Sequence, residues 1–345
     1  MRLGQTDECL ANVQAAVAAA TECGDAEIGA QGNNLWVAAL RTRGDVTQAR
    51  ERAVLGLALA RSQGDKLKLA ELRLLLNLSV LDHDAGRYQP ALAAMAECLA
   101  LARRHHQVEI QAILLSNLSA VQLGLGDYAT ALVWAEEAHA FGLQVGDLMQ
   151  ASIALLNRGI ALCGLDRLDE ARSSLRPVNE HLESVGARVY LAGGLGALGD
   201  VELAAGDAAA AVACLEAARD AYLAVGQTRE ALETAAGLSC AWLRRGDLPR
   251  ALSELAALLR TIEQDVAAAD TIEHSPRSPR TYLQMHEVLA AAGEAAAADW
   301  LARAHAALMS QADLIGDAAL RERYLAQHVD AKAVMDAWRG AAVPP

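Results

Sequence analysis

Residues 126–132 read Gly-Asp-Tyr-Ala-Thr-Ala-Leu, and variants of this phrase recur at 40-residue intervals. Gly86-Arg-Tyr-Gln-Pro-Ala-Leu92 precedes it. Asp166-Arg-Leu-Asp-Glu-Ala-Arg172, Gly206-Asp-Ala-Ala-Ala-Ala-Val212 and Gly246-Asp-Leu-Pro-Arg-Ala-Leu252 follow. The phrase belongs to a finer grid of turn signals with a 20-residue step: Gly24-Asp25, Gly44-Asp45, Gly64-Asp65, Gly126-Asp127, Gly146-Asp147, Gly206-Asp207, Gly226-Gln227 and Gly246-Asp247. Gly86-Arg87, His105-His106, Asp166-Arg167 and Gly186-Ala187 fill the gaps, and one slip of two residues falls between Gly64 and Gly86. Glycine takes the left-handed conformation that ends a helix, and the Asp after it accepts backbone N–H groups and caps the next. Each block therefore predicts a helix of about 14–18 residues and a tight turn, with consecutive helices antiparallel.

Alternate blocks differ, so the repeat is a helix pair of 40 residues. Five positions after each turn the second helix carries Ala91, Ala131, Ala171, Ala211 or Ala251, a small side chain where two helix backbones cross closely. Tyr88, Tyr128, Leu168 and Leu248, at the third position of the phrase, are expected to fill the space between neighbouring pairs.

The phrase resembles the tetratricopeptide repeat, and the resemblance runs over nearly the whole chain. It implies an all-α fold, a right-handed superhelical solenoid of antiparallel helix pairs. The repeats are longer than the common 34-residue version. Long repeats of this kind look like those of bacterial multidomain regulators. The ending, with Ala306–Met309, Asp317 and Leu320-Arg321, is similar to the C-terminal part of large ATP-binding regulators and nucleotide-cyclase-linked ATPases.

Composition agrees with helices. Of 345 residues 77 are alanine, aromatic residues make up 3 %, and Phe occurs once. Sheets are built from the β-branched and aromatic residues that are scarce here. A hydrophobic fraction of 53 % against 21 % charge argues against disorder. Thirty Lys and Arg against 43 Asp and Glu give a net charge of −13. That balance, with no basic stripe, argues against a nucleic-acid or anionic-membrane surface. The N-terminus has no signal-peptide core, and the longest uncharged stretch, 110–126, is too polar for a membrane span. Cys9, Cys23, Cys98, Cys163, Cys214 and Cys240 are far apart, as expected of small buried side chains in a reducing cytoplasm.

The domain reading is helical repeats over 1–273, a Pro/Ser linker over 274–280, and a last helix pair with a capping helix over 281–345. The cap is expected to pack Leu320, Tyr324 and Leu325 against the preceding helix. Leu3–Leu10 reads as the start of a second helix, with Cys9 in the alanine slot. The chain is thus expected to begin mid-repeat, with an exposed apolar flank beside Leu10, Val13 and Val17 and weak self-association through it.

Chemistry-bearing motifs are few. Gly194-Leu-Gly-Ala-Leu-Gly199 spells a dinucleotide fingerprint, but that reading requires a strand before it and a parallel sheet around it. On the 20-residue grid it falls inside a helix. Asp82-His83-Asp84 reads as a polar helix end, since consecutive helical residues point apart. Pro177 is expected to kink its helix, and the five tryptophans to pack between helices. No cofactor, metal site or catalytic constellation is expected, so the chain reads as a non-enzyme.

One polar column stands out. Asn77, Asn117 and Asn157 are 40 residues apart, each nine residues before its turn. In tetratricopeptide proteins that bind extended peptides, Asn at this slot lines the concave face, where its amide offers a donor and an acceptor to a peptide backbone. The alternative is a hydrogen bond that holds neighbouring repeats in register. Asn34 and Arg73 are expected on the same face, and the column ends at Ala197 and Gly237. The functional expectation is a non-catalytic module that binds a protein or peptide in the groove of a bacterial regulator. The alternative is a metabolite or sugar sensor controlling a linked ATPase, cyclase or DNA-binding domain, which requires an enclosed pocket with an aromatic wall.

Overall fold

The structure, a computed structural model, describes residues 3–43, 45–264 and 266–342. Among them are 18 α-helices and one 3-10 turn, with no strand. In order these are α1 (Leu3–Cys23), α2 (Ala26–Arg43), α3 (Val46–Ser62), the 3-10 turn Gly64–Leu67, α4 (Lys68–Asp84), α5 (Tyr88–Arg104) and α6 (Val108–Gly124). Then come α7 (Tyr128–Val145), α8 (Leu148–Gly164), α9 (Leu168–Ser184), α10 (Arg188–Ala204), α11 (Ala208–Ala224), α12 (Thr228–Arg244) and α13 (Leu248–Gln264). The last five are α14 (Val266–Glu273), α15 (Ser278–Ala291), α16 (Ala297–Asp313), α17 (Ala318–Gln327) and α18 (Val329–Ala342).

The grid sets these boundaries. The turn glycines have φ between +60° and +87°, and where glycine is missing His106 and Asp166 take the same conformation at φ 53° and 59°. Gly44 lies outside the described residues; α2 ends just before it. Asp45, Asp127, Asp147, Asp207 and Asp247 each accept the backbone N–H three residues on, at 3.0–3.2 Å. Asp65 does not cap a helix. It sits in the 3-10 turn, which absorbs the two residues by which the period slips.

The chain divides into two compact units, residues 1–121 and 122–345. In the first, α2 and α4 lie side by side as one layer of first helices, with α3 packed on both. In the second, α8, α10, α12 and α15 form the corresponding layer, backed by α9, α11, α13 and α16. Ala91, Ala131, Ala171, Ala211 and Ala251 are all completely buried, as a close crossing requires.

Two expectations need correction. Leu10, Val13 and Val17 are buried, covered by Trp36, Val37 and Leu40 of α2. Among the described residues the exposed apolar side chains at this end are Ala11, Ala15, Ala16, Ala18 and Ala19 of α1 and, as the large ones, Ile28 and Leu35 of α2. The stretch 274–280 is linker only to Arg277, because Ser278-Pro279-Arg280 forms the first turn of α15, with proline where its missing N–H costs nothing. Helix α9 continues through Pro177. The supposed dinucleotide fingerprint lies inside α10, and Val189–Leu191 is helical.

Candidate functional site on the first-helix layers

In the first unit the predicted polar residues split. Asn77 of α4 donates through Nδ2 to Asn34 Oδ1 of α2 at 2.9 Å, and its Oδ1 accepts from Arg41 Nη1 at 3.2 Å. Both ends of its amide are thus used between neighbouring first helices. Arg73 is exposed and Asn117 half-buried. In the second unit Asn157 is half-buried on α8. Asp82 is buried and paired with Arg50 Nε at 2.9 Å and Arg87 Nη2 at 2.8 Å, so it serves as an ion-pair centre.

The concave feature of the second unit lies where α10, α12 and α15 meet. Gly193 and Gly196 of α10 and Gly237 of α12 floor a small polar cavity. Its walls are Asp200, Glu233, Arg277, Arg280, Gln284 and Tyr222, and its enclosed volume is about 20 Å³. That is room for roughly one water molecule. Arg280 grips Asp200 with both terminal nitrogens, Nη1 reaching Oδ2 at 2.9 Å. Arg277 Nη2 stands 3.6 Å from the same carboxylate. On the other side Arg280 Nε is 3.9 Å from Asp330 of α18. Burial opposes the charge on Arg280, but Asp200 and Asp330 outweigh it and hold its pKa above the usual value. Burial likewise opposes ionisation of Asp330, and Arg280, His328 and Arg277 together keep its pKa below the usual carboxylate value. Glu233 accepts a hydrogen bond from the buried Ser275 hydroxyl, which also takes the Arg277 N–H at 3.1 Å. Beside the cavity, burial and the neighbouring Glu287 push the Cys240 thiol well up, which keeps it protonated.

Sequence reasoning did not find this cluster. Arg277 and Arg280 fall in the stretch read as a linker, and no motif marks Asp200. The pairing joins residues 80 apart, a distance no local pattern records. One signal was present: the asparagine column gives way to Ala197 and then Gly237, and Gly237 is on the cavity floor.

No protein-family model matches the sequence, and no curated protein does. Solved structures match the fold. A Rap protein complexed with competence and sporulation factor superposes with TM-score 0.65 at 13 % identity, covering 98 % of this chain and 97 % of that one. The apo form of the quorum sensor NprR from B. thuringiensis gives 0.58 at 13 %, covering 96 % and 98 %. NprR in complex with its cognate peptide NprX gives 0.56 at 15 %, covering 91 % and 88 %. At these identities the likeness is one of fold, and with the helix-pair grid it places the chain among tetratricopeptide-like helical-repeat structures.

Proposed function

We propose that the chain is a non-catalytic peptide- or protein-binding module of a bacterial regulator, and that its ligand lies on the first-helix layers. The observation that carries this reading is the glycine-floored polar cavity of α10, α12 and α15. Bare backbone there faces charged and amide side chains of both signs, the chemistry that recognises a peptide. The solved structures of the same fold include NprR with its cognate peptide NprX and a Rap protein with competence and sporulation factor. A metabolite or sugar receptor is less well supported, since it calls for an aromatic wall and the lining here holds one aromatic residue, Tyr222. Linkage to an ATPase, cyclase or DNA-binding domain is the finer part of the proposal and rests on the C-terminal resemblance. Sequencing the reading frame upstream of Met1 tests that part.

Asn117, Asn157 and Arg73 are proposed ligand contacts, whereas the bonds of Asn77 to Asn34 and Arg41 support a bracing role for that pair. Asn77→Ala is therefore expected to cost about 1–3 kcal/mol of stability, read as a lower thermal midpoint. Asn117→Ala is expected to leave the midpoint unchanged. A loss of several degrees in Asn117→Ala would move that residue to the bracing role.

The direct test is to pan a displayed heptapeptide library against the full chain and titrate the enriched peptides into wild type and Gly196→Ala. A methyl group at Gly196 has open space, its nearest neighbour being Ala218 Cβ at 4.0 Å. The variant keeps its fold while narrowing the cavity. Binding to wild type that falls at least about tenfold in Gly196→Ala is the expected result, that of a misfitted buried contact. Equal binding to both proteins, or no enrichment, refutes the reading.

A further inference from the structure

At Gly24, Gly64, Gly146, Gly186, Gly206, Gly226, Gly246 and Gly293 a Cβ would meet nothing within 4 Å. At Gly126, φ +73°, it would fall 2.7 Å from both the N and the Cα of His328. This turn is occupied by another part of the chain, about 200 residues away in sequence and within the same compact unit. His328 is the single extended residue between α17 and α18. The next residue, Val329, donates its backbone N–H to Tyr128 Oη at 3.0 Å. Arg323 of α17 places Nη1 3.3 Å from Asp127 Oδ2, the carboxylate whose other oxygen caps α7. The Tyr128 ring is set by Gly164, where a Cβ would come within 2.4 Å of it.

Besides the packing of α18 on α15, the corner has two attachments, which differ in chemistry. Toward α16 it is apolar and stacked: Tyr324, Ala331 and Val334 are buried, and Trp338 lies on His305 with centroids 4.4 Å apart. Toward the α6–α7 turn it consists of one hydrogen bond, one partly exposed ion pair, a tilted ring contact of Tyr128 with His328 at 6.3 Å between centroids, and a backbone seated on a glycine. Polar contacts of that size exchange readily with water, whereas a buried apolar face does not. The corner is thus anchored at one end and detachable at the other. One residue after the detachable contact stands Asp330, whose carboxylate faces Arg280 at the cavity.

We propose that the α17–α18 corner is a releasable latch on the α6–α7 turn, and that its release withdraws Asp330 from Arg280 and opens the α10–α12–α15 cavity. The latch stands on its own contacts, while the role of the cavity rests on the peptide-binding reading above. Its test therefore uses no ligand.

The experiment compares the full-length wild type with Tyr128→Phe/Arg323→Gln by hydrogen-exchange mass spectrometry. It also follows phenylglyoxal labelling of Arg280. Neither substitution touches the Asp127 cap or the Gly164 contact. Amides of 328–342 and 126–132 are expected to exchange roughly tenfold faster, the factor that corresponds to one lost hydrogen bond. Protection in α8 and α16 is expected to stay, and Arg280 to label faster. Unchanged exchange refutes the latch. Loss of protection spreading through α15 and α16 also refutes it, because the corner is then part of the fold's core. Faster exchange with unchanged Arg280 labelling refutes the coupling to the cavity and leaves the peptide reading to its own test. If the double variant fails to fold, Tyr128→Phe alone, which deletes one hydroxyl, is expected to give the same pattern at smaller amplitude. No change there is equally decisive.

Discussion

The glycines of α10 show how a single residue's environment reverses the effect of one substitution. By propensity alone each glycine inside a helix costs about 1 kcal/mol relative to alanine. A Cβ at Gly194 would fall 1.9 Å from Asn179 Oδ1, and one at Gly199 2.7 Å from Leu215. These two glycines let α9 and α11 approach, so the helix is not the soft spot that its composition suggests. At Gly196 the space is open. Gly194→Ala is therefore expected to destabilise by about 1–3 kcal/mol through overpacking, and Gly196→Ala to stabilise by up to about 1 kcal/mol. Urea unfolding of the two variants checks both signs, and equal effects would contradict the packing argument. The sequence places all four glycines in a helix. Which of them touch a neighbour depends on Asn179, Leu215 and Ala218, which belong to other elements.

At the scale of the element, the α17–α18 corner carries a titratable group with a defined sign. Burial lowers the pKa of His328, with Asp330 opposing and Arg280 adding to the effect. The folded chain therefore binds this proton less readily than the unfolded chain, whose histidine titrates near about 6.5. The neutral ring's contribution is complete above that value. It is lost as the pH falls below it, since the unfolded state then takes up more protons. A second imidazole, His305, stacks on Trp338 of α18, so the share that belongs to His328 is read from its own variant. Hydrogen exchange at 328–342 is expected to quicken between pH 7.5 and 5.5 beyond the intrinsic pH dependence of the amides, and His328→Gln to flatten that excess. The same slope in the variant would place the effect elsewhere. The sequence shows the helix start at Asp317, which caps α17 by accepting the Leu320 N–H at 2.9 Å. It does not show that the following corner reaches back to Gly126.

For the whole chain, we propose that the C-terminal segment, which buries Tyr324, Ala331 and Val334, caps the second unit. Deleting 317–345 removes Tyr324, Ala331 and Val334 from the core and leaves Arg280 with one carboxylate in place of two. Burying a side chain of the Tyr or Val class contributes about 1.5–3 kcal/mol. A fall of at least about 5 °C in the thermal midpoint is therefore expected, at roughly 2–4 °C per kcal/mol for a unit of this size. An unchanged midpoint in calorimetry would deny the segment any capping role. Arg280→Gln in the full chain isolates the ionic part, leaving Asp200 and Asp330 without their shared cation. It is expected to be the more damaging of the ion-pair changes, because it strands two partly buried carboxylates.

What the sequence by itself determined is the local architecture. Left-handed φ at the described turn glycines, Asp caps and buried alanines at the crossings all follow from residue types whose conformational preferences act within a few positions. Even the substitutes for glycine, His106 and Asp166, are residue types that tolerate φ above zero. Only the tertiary structure decided the rest. It paired Asn77 with Asn34, brought Asp200 and Asp330 to the two sides of Arg280, and seated His328 on Gly126. Those contacts depend on how helices dozens or hundreds of residues apart come to face each other. Small rotations accumulated over successive repeats set that arrangement, and no periodicity in the chain encodes their sum.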